Sequence, residues 1–198
     1  EMKTFIATYL LDKEGNLLVS CYEKLGFVKF YTDGRIKNWT TEEGLAGNKV
    51  RVAKELSNGD IYVGTTTGLS IIKDEGKVIR NIQKNDVIDN DYIMCVYENK
   101  NGEIWIGTDG GGIFILKDEK IIKTISKKDG LVGNVIFKID SIRDGEIWIC
   151  TGSGATRIKD DKYFSYNNLN GFVGEGVFQL IPDYMQRVWG TSNRGIFY

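Results

Sequence analysis

The sequence predicts an all-β fold, a β-propeller of five repeats, and three observations carry that prediction. A heptapeptide returns as GNLLVSC from Gly15, GDIYVGT from Gly59, GEIWIGT from Gly102 and GEIWICT from Gly145, with a shortened QRVWGT from Gln186. Its leading glycines are spaced by 44, 43 and 43 residues, and a second glycine follows each copy, at Gly26, Gly68, Gly112, Gly154 and Gly195. Two landmarks sharing one period mark a repeat architecture, and units of about 40–45 residues with four strands each are propeller blades. Composition agrees: 24 glycines, one proline and 12% aromatic residues suit short strands joined by tight turns. No segment keeps a helical period, so almost no helix is expected.

Within a unit the apolar residues divide into four strand-like runs. In the third they are Tyr92 to Tyr97, Glu103 to Thr108, Gly112 to Leu116 and Ile121 to Ile125. Asn101-Gly102 joins the first two runs and is a hairpin signal, because glycine takes the positive φ that a tight turn demands. Glu14-Gly15, Asn58-Gly59 and Asp144-Gly145 stand at the same place. The second run carries a recurring aromatic residue (Tyr62, Trp105, Trp148, Trp189), expected to fill the gap to the neighbouring sheet. Trp39 lies off that register, in an outer strand, and is expected to be partly exposed. The units run over residues 1–45, 46–88, 89–131, 132–172 and 173–198, a single propeller domain or a fragment of one. The first begins at its innermost strand near Phe5 and the last stops at Tyr198 after its third. The expectation is four four-stranded blades plus a three-stranded fifth, as a closed five-bladed ring or as part of a larger, seven-bladed one.

Charge excludes several classes of function. With 26 basic and 27 acidic residues the net charge is −1, which gives no footprint for nucleic acid. Cys21, Cys95 and Cys150 form an odd set without C-x-x-C spacing, so buried thiols are expected rather than disulfides or a zinc site. There is no histidine, which removes Ser-His and Cys-His mechanisms and histidine-ligated metals; no cofactor and no metal are expected. No run of 18 apolar residues is present, so any membrane attachment would come from segments of a parent protein, and the start at Glu1 rather than Met fits a cut from something longer.

The stretches Gly44 to Leu69, Asn90 to Gly112 and Gly130 to Gly154 resemble the two-component regulator propeller repeat: Gly-Leu, a loop with Asn, an inner strand, Asp/Asn-x-x-Gly, Ile-Trp-Ile-Gly-Thr and a glycine-rich turn. The resemblance covers nearly the whole chain. It implies an extracytoplasmic sensor region of a bacterial membrane-bound signalling protein such as a hybrid histidine kinase, with carbohydrate-derived ligands as its best-attested inputs. The thiols fit a reducing interior somewhat better, which leaves a cytoplasmic location open.

Candidate ligand-binding residues lie on one loop face. Asn48, Asn90 and Asn134 precede inner strands, where their amides either close turns or point into a central funnel, and Glu175 breaks the pattern in the fifth unit. The turns between second and third strands add Thr65-Thr66-Thr67, Thr108 to Gly112 with Asp109, Thr151 to Gly154, and Thr191 to Gly195 with Arg194; Tyr22 and Tyr92 lie nearby. Hydroxyls, a carboxylate, a guanidinium and aromatic rings can hydrogen-bond and stack on a small polar ligand, a carbohydrate among them. Gly110-Gly111-Gly112 is not a phosphate loop, since no helix follows. Asp109, Asp140 and Glu175 could serve a carboxylate or calcium-dependent mechanism, but no paired carboxylates fall on inner strands, and Asp12, Asp33, Asp74, Asp118 and Asp160 read as solvated turn residues. The sequence therefore favours a non-enzymatic sensing propeller, with a free-standing carbohydrate- or protein-binding propeller as the alternative, and self-association through ring packing or edge strands as a further expectation.

Overall fold

The computed structural model describes residues 5–73, 76–84, 88, 90–170 and 174–198. Among these residues nineteen strands form five antiparallel sheets, four of four strands and one of three, each a meander in chain order. The first is β1 (Ile6–Leu11), β2 (Leu17–Cys21), β3 (Phe27–Phe30) and β4 (Ile36–Trp39); the second is β5 (Val50–Glu55), β6 (Ile61–Thr65), β7 (Gly68–Lys73) and β8 (Lys77–Ile82). The third is β9 (Ile93–Glu98), β10 (Ile104–Thr108), β11 (Ile113–Lys117) and β12 (Lys120–Ile125). The fourth is β13 (Ile136–Arg143), β14 (Glu146–Thr151), β15 (Gly154–Lys159) and β16 (Lys162–Tyr166), and the last is β17 (Val177–Pro182), β18 (Val188–Ser192) and β19 (Gly195–Phe197). These are propeller blades, and among the described residues the only helical pieces are two single 3₁₀ turns, Lys127–Asp129 and Asn168–Asn170. The chain divides into two compact units, residues 1–98 and 99–198.

Local chemistry dictates each turn. At the first hairpin the Asp12 carboxylate accepts the backbone N–H groups of Glu14 and Asn16, and Asn99 and Asp183 hold their own second and fourth following residues in the same way. These side-chain bonds take donors that the tight bend would otherwise leave unmade. At the turn between second and third strands glycine is required by space as well as by φ. A Cβ on Gly112 (φ +79°) would lie 2.4 Å from the Ile125 carbonyl oxygen, and one on Gly26 or Gly154 would lie 2.2 Å from that of Trp39 or Tyr166. The end of the outermost strand closes over this turn in each case. The outer hairpins use Asp118-Glu119 and Asp160-Asp161, both pairs at positive φ, as a two-residue I′ turn demands.

Alternation within each strand gives a blade two apolar faces, one towards the preceding blade and one towards the following blade. In the first unit Leu18, Phe27 and Trp39 pack onto Val50, Ala53, Ile61 and Val63 of the second blade. Trp39 is fully buried and stacked on Phe27 at 5.1 Å, against the expected partial exposure. Its register opposite Phe27 sets both rings on one face, beneath the second blade. In the second unit Trp148, Cys150 and Ala155 meet Val177 and Leu180, with Tyr166, Val188 and Phe197 at the margin. Tyr62, Trp105 and Trp148 are buried as the repeat predicts, whereas Trp189 is exposed on its outward side and packs on Tyr198 instead. The three cysteines are buried thiols.

The terminal blades each keep one apolar face uncovered. Val50, Ile93, Ile136 and Val177 occupy one slot at the start of the inner strand and are all fully buried, but Ile6, in the same slot of the first blade, is 59% exposed. Phe27, Leu69, Ile113 and Ala155 are buried at the start of the third strand, while Ile196 of the last blade is 75% exposed.

Two further features depart from simple alternation. Inner strands pair with their neighbours through a bulge at the second residue: between Ile6 and Thr8, Val50 and Val52, Ile136 and Lys138, and Val177 and Gln179. The residue freed from the ladder is Ala7, Arg51, Phe137 or Phe178 respectively, and a bulge of this kind re-aims its side chain. The other is buried charge. Lys29 Nζ lies 2.8 Å from Asp12 Oδ2 with both side chains almost wholly removed from solvent, so Asp12 is not the solvated turn residue the sequence suggests. Burial pushes its carboxyl up, but hydrogen bonds from Lys29 and Asn16 outweigh this and hold it below the ordinary range. Asp74 lies outside the described residues.

Candidate functional site

The connections entering the inner strands carry most of the residues singled out in the sequence, and the structure uses many of them locally. Asn48 Oδ1 accepts the N–H of Thr41 at 2.7 Å, Asn134 Oδ1 that of Lys127 at 2.8 Å, and Asn90 Oδ1 that of Tyr92 at 2.8 Å. All three carbonyl oxygens fold the loop that delivers the chain to its next blade. The threonine hydroxyls of the neighbouring turns are also committed: Thr65, Thr108 and Thr151 each donate at 2.9 Å to the carbonyl of the glycine that ends the turn. These buried hydroxyls therefore brace the turns rather than collect on the face.

In the first unit, three consecutive blades place functional groups together. Tyr22 follows β2, Tyr92 precedes β9, and their hydroxyls share a 2.8 Å hydrogen bond. Arg51, the bulged residue of β5, holds its guanidinium carbon 5.5 Å from the centre of the Tyr22 ring, and Lys49 Nζ lies 6.0 Å from the same centre. Both cations lie within cation–π range of the one ring, and neither is in an ion pair among the described residues. Arg51 Nε is buried without an acceptor. Tyr22 and Tyr92 are read from the sequence; Lys49 and Arg51 are not, because a bulge leaves no mark in an apolar-polar pattern.

The second unit gathers the other candidates more loosely. The N–H groups of Gly110 and Gly112 both donate to the Asn134 carbonyl, and Asp109 bridges to Val135, so the Asp109 turn and Asn134 are neighbours. Glu175 and Arg194 are exposed, on turns linked by the Glu175 N–H to Asn193 Oδ1 bond at 3.2 Å. Beside them Phe137 and Phe178, both bulge residues, pack at 5.3 Å.

Away from this face, Asp12, Glu14 and Glu55 bring carboxylate oxygens within 4.8 Å of one another. Lys29 already neutralises Asp12, and burial, then the charges of Asp12 and Glu14, push the Glu55 carboxyl up.

Five consecutive meander sheets with loop-borne polar groups at the inner-strand entrances define a β-propeller fold. The family model described as two component regulator propeller matches residues 87–110, in the third repeat. Solved structures share the fold. The extracellular domain of a protein described as a hybrid two component system from B. thetaiotaomicron is 24% identical, with a TM-score of 0.83 over 96% of this chain and 27% of that one. The extracellular domain of a one component system from the same organism is 16% identical, with a TM-score of 0.78 over 98% of this chain and 29% of that one. Virginiamycin B lyase from Staphylococcus aureus, an enzyme, is 14% identical, with a TM-score of 0.71 over 97% of this chain and 68% of that one. The chain thus spans less than a third of these extracellular domains. Comparison with curated protein sequences gives no significant match. No helix among the described residues is long and apolar enough to cross a membrane.

Proposed function

We propose that this chain is a non-enzymatic, ligand-sensing propeller of a bacterial transmembrane signalling protein, working on the extracytoplasmic side with a small polar ligand, a carbohydrate among the candidates. The observation that carries the reading is the Tyr22–Tyr92 hydroxyl pair with Lys49 and Arg51 beside it, a set of donors, acceptors and ring faces brought to one place by three blades. Likeness to extracellular domains of two component proteins supports the cellular role. The likeness to a lyase carries less weight, because a histidine-to-alanine variant of that enzyme is catalytically inactive and this chain has no histidine.

The test is a glycan array probed with the labelled chain, repeated with Tyr22→Ala and Tyr92→Ala. Retention of a defined glycan set that both substitutions abolish, with unchanged melting temperature, is the expected result. Absence of any retained glycan, or retention indifferent to both substitutions, overturns it.

A further inference from the structure

We infer that the Tyr22–Tyr92 site reads a negative charge: its ligand carries a carboxylate or sulfate, which Arg51 and Lys49 hold while the two phenols take its hydroxyls. The inference deepens the proposed function and rests on its assignment of the loop face.

The argument begins with an imbalance. A half-buried arginine usually answers its charge with a carboxylate or a set of carbonyls, because an unpaired charge and an unmet N–H are both costly away from water. Several cations elsewhere have a carboxylate, although the Nε–H groups of Arg143 and Arg157 are also buried without an acceptor. Lys29 has Asp12, Arg157 and Lys159 have Glu146, and Arg187 has Asp183. Arg51 has neither an ion pair nor an acceptor for its buried Nε–H, and its neighbour Lys49 adds a second positive charge instead of relieving the first. Among the described residues the counter-charge beside it is the face of Tyr22, which is worth far less than a carboxylate.

Backbone geometry explains how this state is kept. The bulge between Val50 and Val52 takes Arg51 out of the ladder, so its side chain follows neither face of the blade. Thr8 Oγ1 donates to the Arg51 carbonyl, and Thr66 N–H to that of Lys49, so both residues are anchored through their backbones while their cationic ends remain unmatched. A planar guanidinium next to a mobile ammonium suits a carboxylate or sulfate oxygen pair, and charge-assisted bonds of this kind are about twice as strong as neutral ones. The adjoining phenols share one hydrogen bond, and a phenol oxygen can donate one bond and accept others, as ring hydroxyls require.

The experiment is calorimetric titration of the full chain with D-glucuronate, D-glucose and sodium sulfate, with Arg51→Gln and Lys49→Gln beside the unaltered protein. Glucuronate is expected to bind at least about tenfold more tightly than glucose, sulfate to compete with it, and Arg51→Gln to remove about tenfold or more of the affinity. If Arg51→Gln fails to fold, Lys49→Gln, which alters an exposed side chain, carries the test through a smaller loss and a flatter dependence on ionic strength. Glucose binding as well as glucuronate, sulfate failing to compete, or affinity untouched by both substitutions overturns the charge assignment. A neutral glycan that binds and is lost in Tyr22→Ala but not in Arg51→Gln leaves the sensing role standing and removes only this inference.

Discussion

Single residues set the balance of charge in the first unit. Lys29 and Asp12 form a buried pair, so Lys29→Met strands a carboxylate and is predicted to cost about 3–5 kcal/mol in chemical denaturation, whereas the double substitution Asp12→Asn with Lys29→Met recovers most of that loss. Glu55 behaves in the opposite sense. Its carboxyl titrates higher in the folded protein than in the unfolded chain, so ionising it opposes folding. That penalty is absent below the ordinary value of 4.5, grows as pH rises from there to the raised folded value, and is constant above it. Glu55→Gln is therefore predicted to raise Tm at pH 7 and to give no gain below pH 4.5; a gain that persists in acid refutes the assignment. At this scale the sequence was a partial guide. Tyr22, Tyr92 and the turn glycines stand out by type and spacing, but Asp12 looks like any turn aspartate until Lys29 is found opposite it, and Arg51 is hidden by a register shift that alternation does not encode.

At the level of strands and turns, pattern and structure agree closely, because period-2 alternation and turn glycines are local physics. The third unit's runs, read as Tyr92 to Tyr97 and Ile121 to Ile125, appear as Ile93–Glu98 and Lys120–Ile125. Trp39 escaped the reading because its burial is set by pairing with Phe27 and by the blade above, both tertiary facts. The repeated glycine turn supplies its own control. Gly112 and Gly195 occupy equivalent places at positive φ, but a Cβ on Gly112 meets the Ile125 carbonyl and one on Gly195 meets nothing within 4 Å. Gly195→Ala should then lose only the conformational term, about 1–2 kcal/mol, and Gly112→Ala several kcal/mol more. Equal losses in urea denaturation would show that the outer strand does not close the turn as described.

For the molecule as a whole, the informative contrast lies between inner and terminal blades. Ile6 and Tyr9 in one unit, and Trp189, Ile196 and Tyr198 in the other, leave apolar surface in water that the equivalent residues of other blades bury. Surface of this type associates. The weight-average mass from light scattering is predicted to rise with concentration, and Ile196→Asp to lower it without reducing Tm, since that side chain is 75% exposed. A mass constant with concentration would contradict this. The sequence revealed the five repeats but not these open faces, because a repeat announces which residues form a blade and is silent on what covers the first and the last. The bulge of the inner strand has a wider consequence. Ala7, Arg51, Phe137 and Phe178 span a methyl group, a cation and two aromatic rings, while the residue before each is always Ile or Val. Position by position, the propeller carries one letter per blade that can be rewritten without respelling the fold, so a change of chemical taste in such a protein needs only a handful of substitutions, each a short step from a working ancestor.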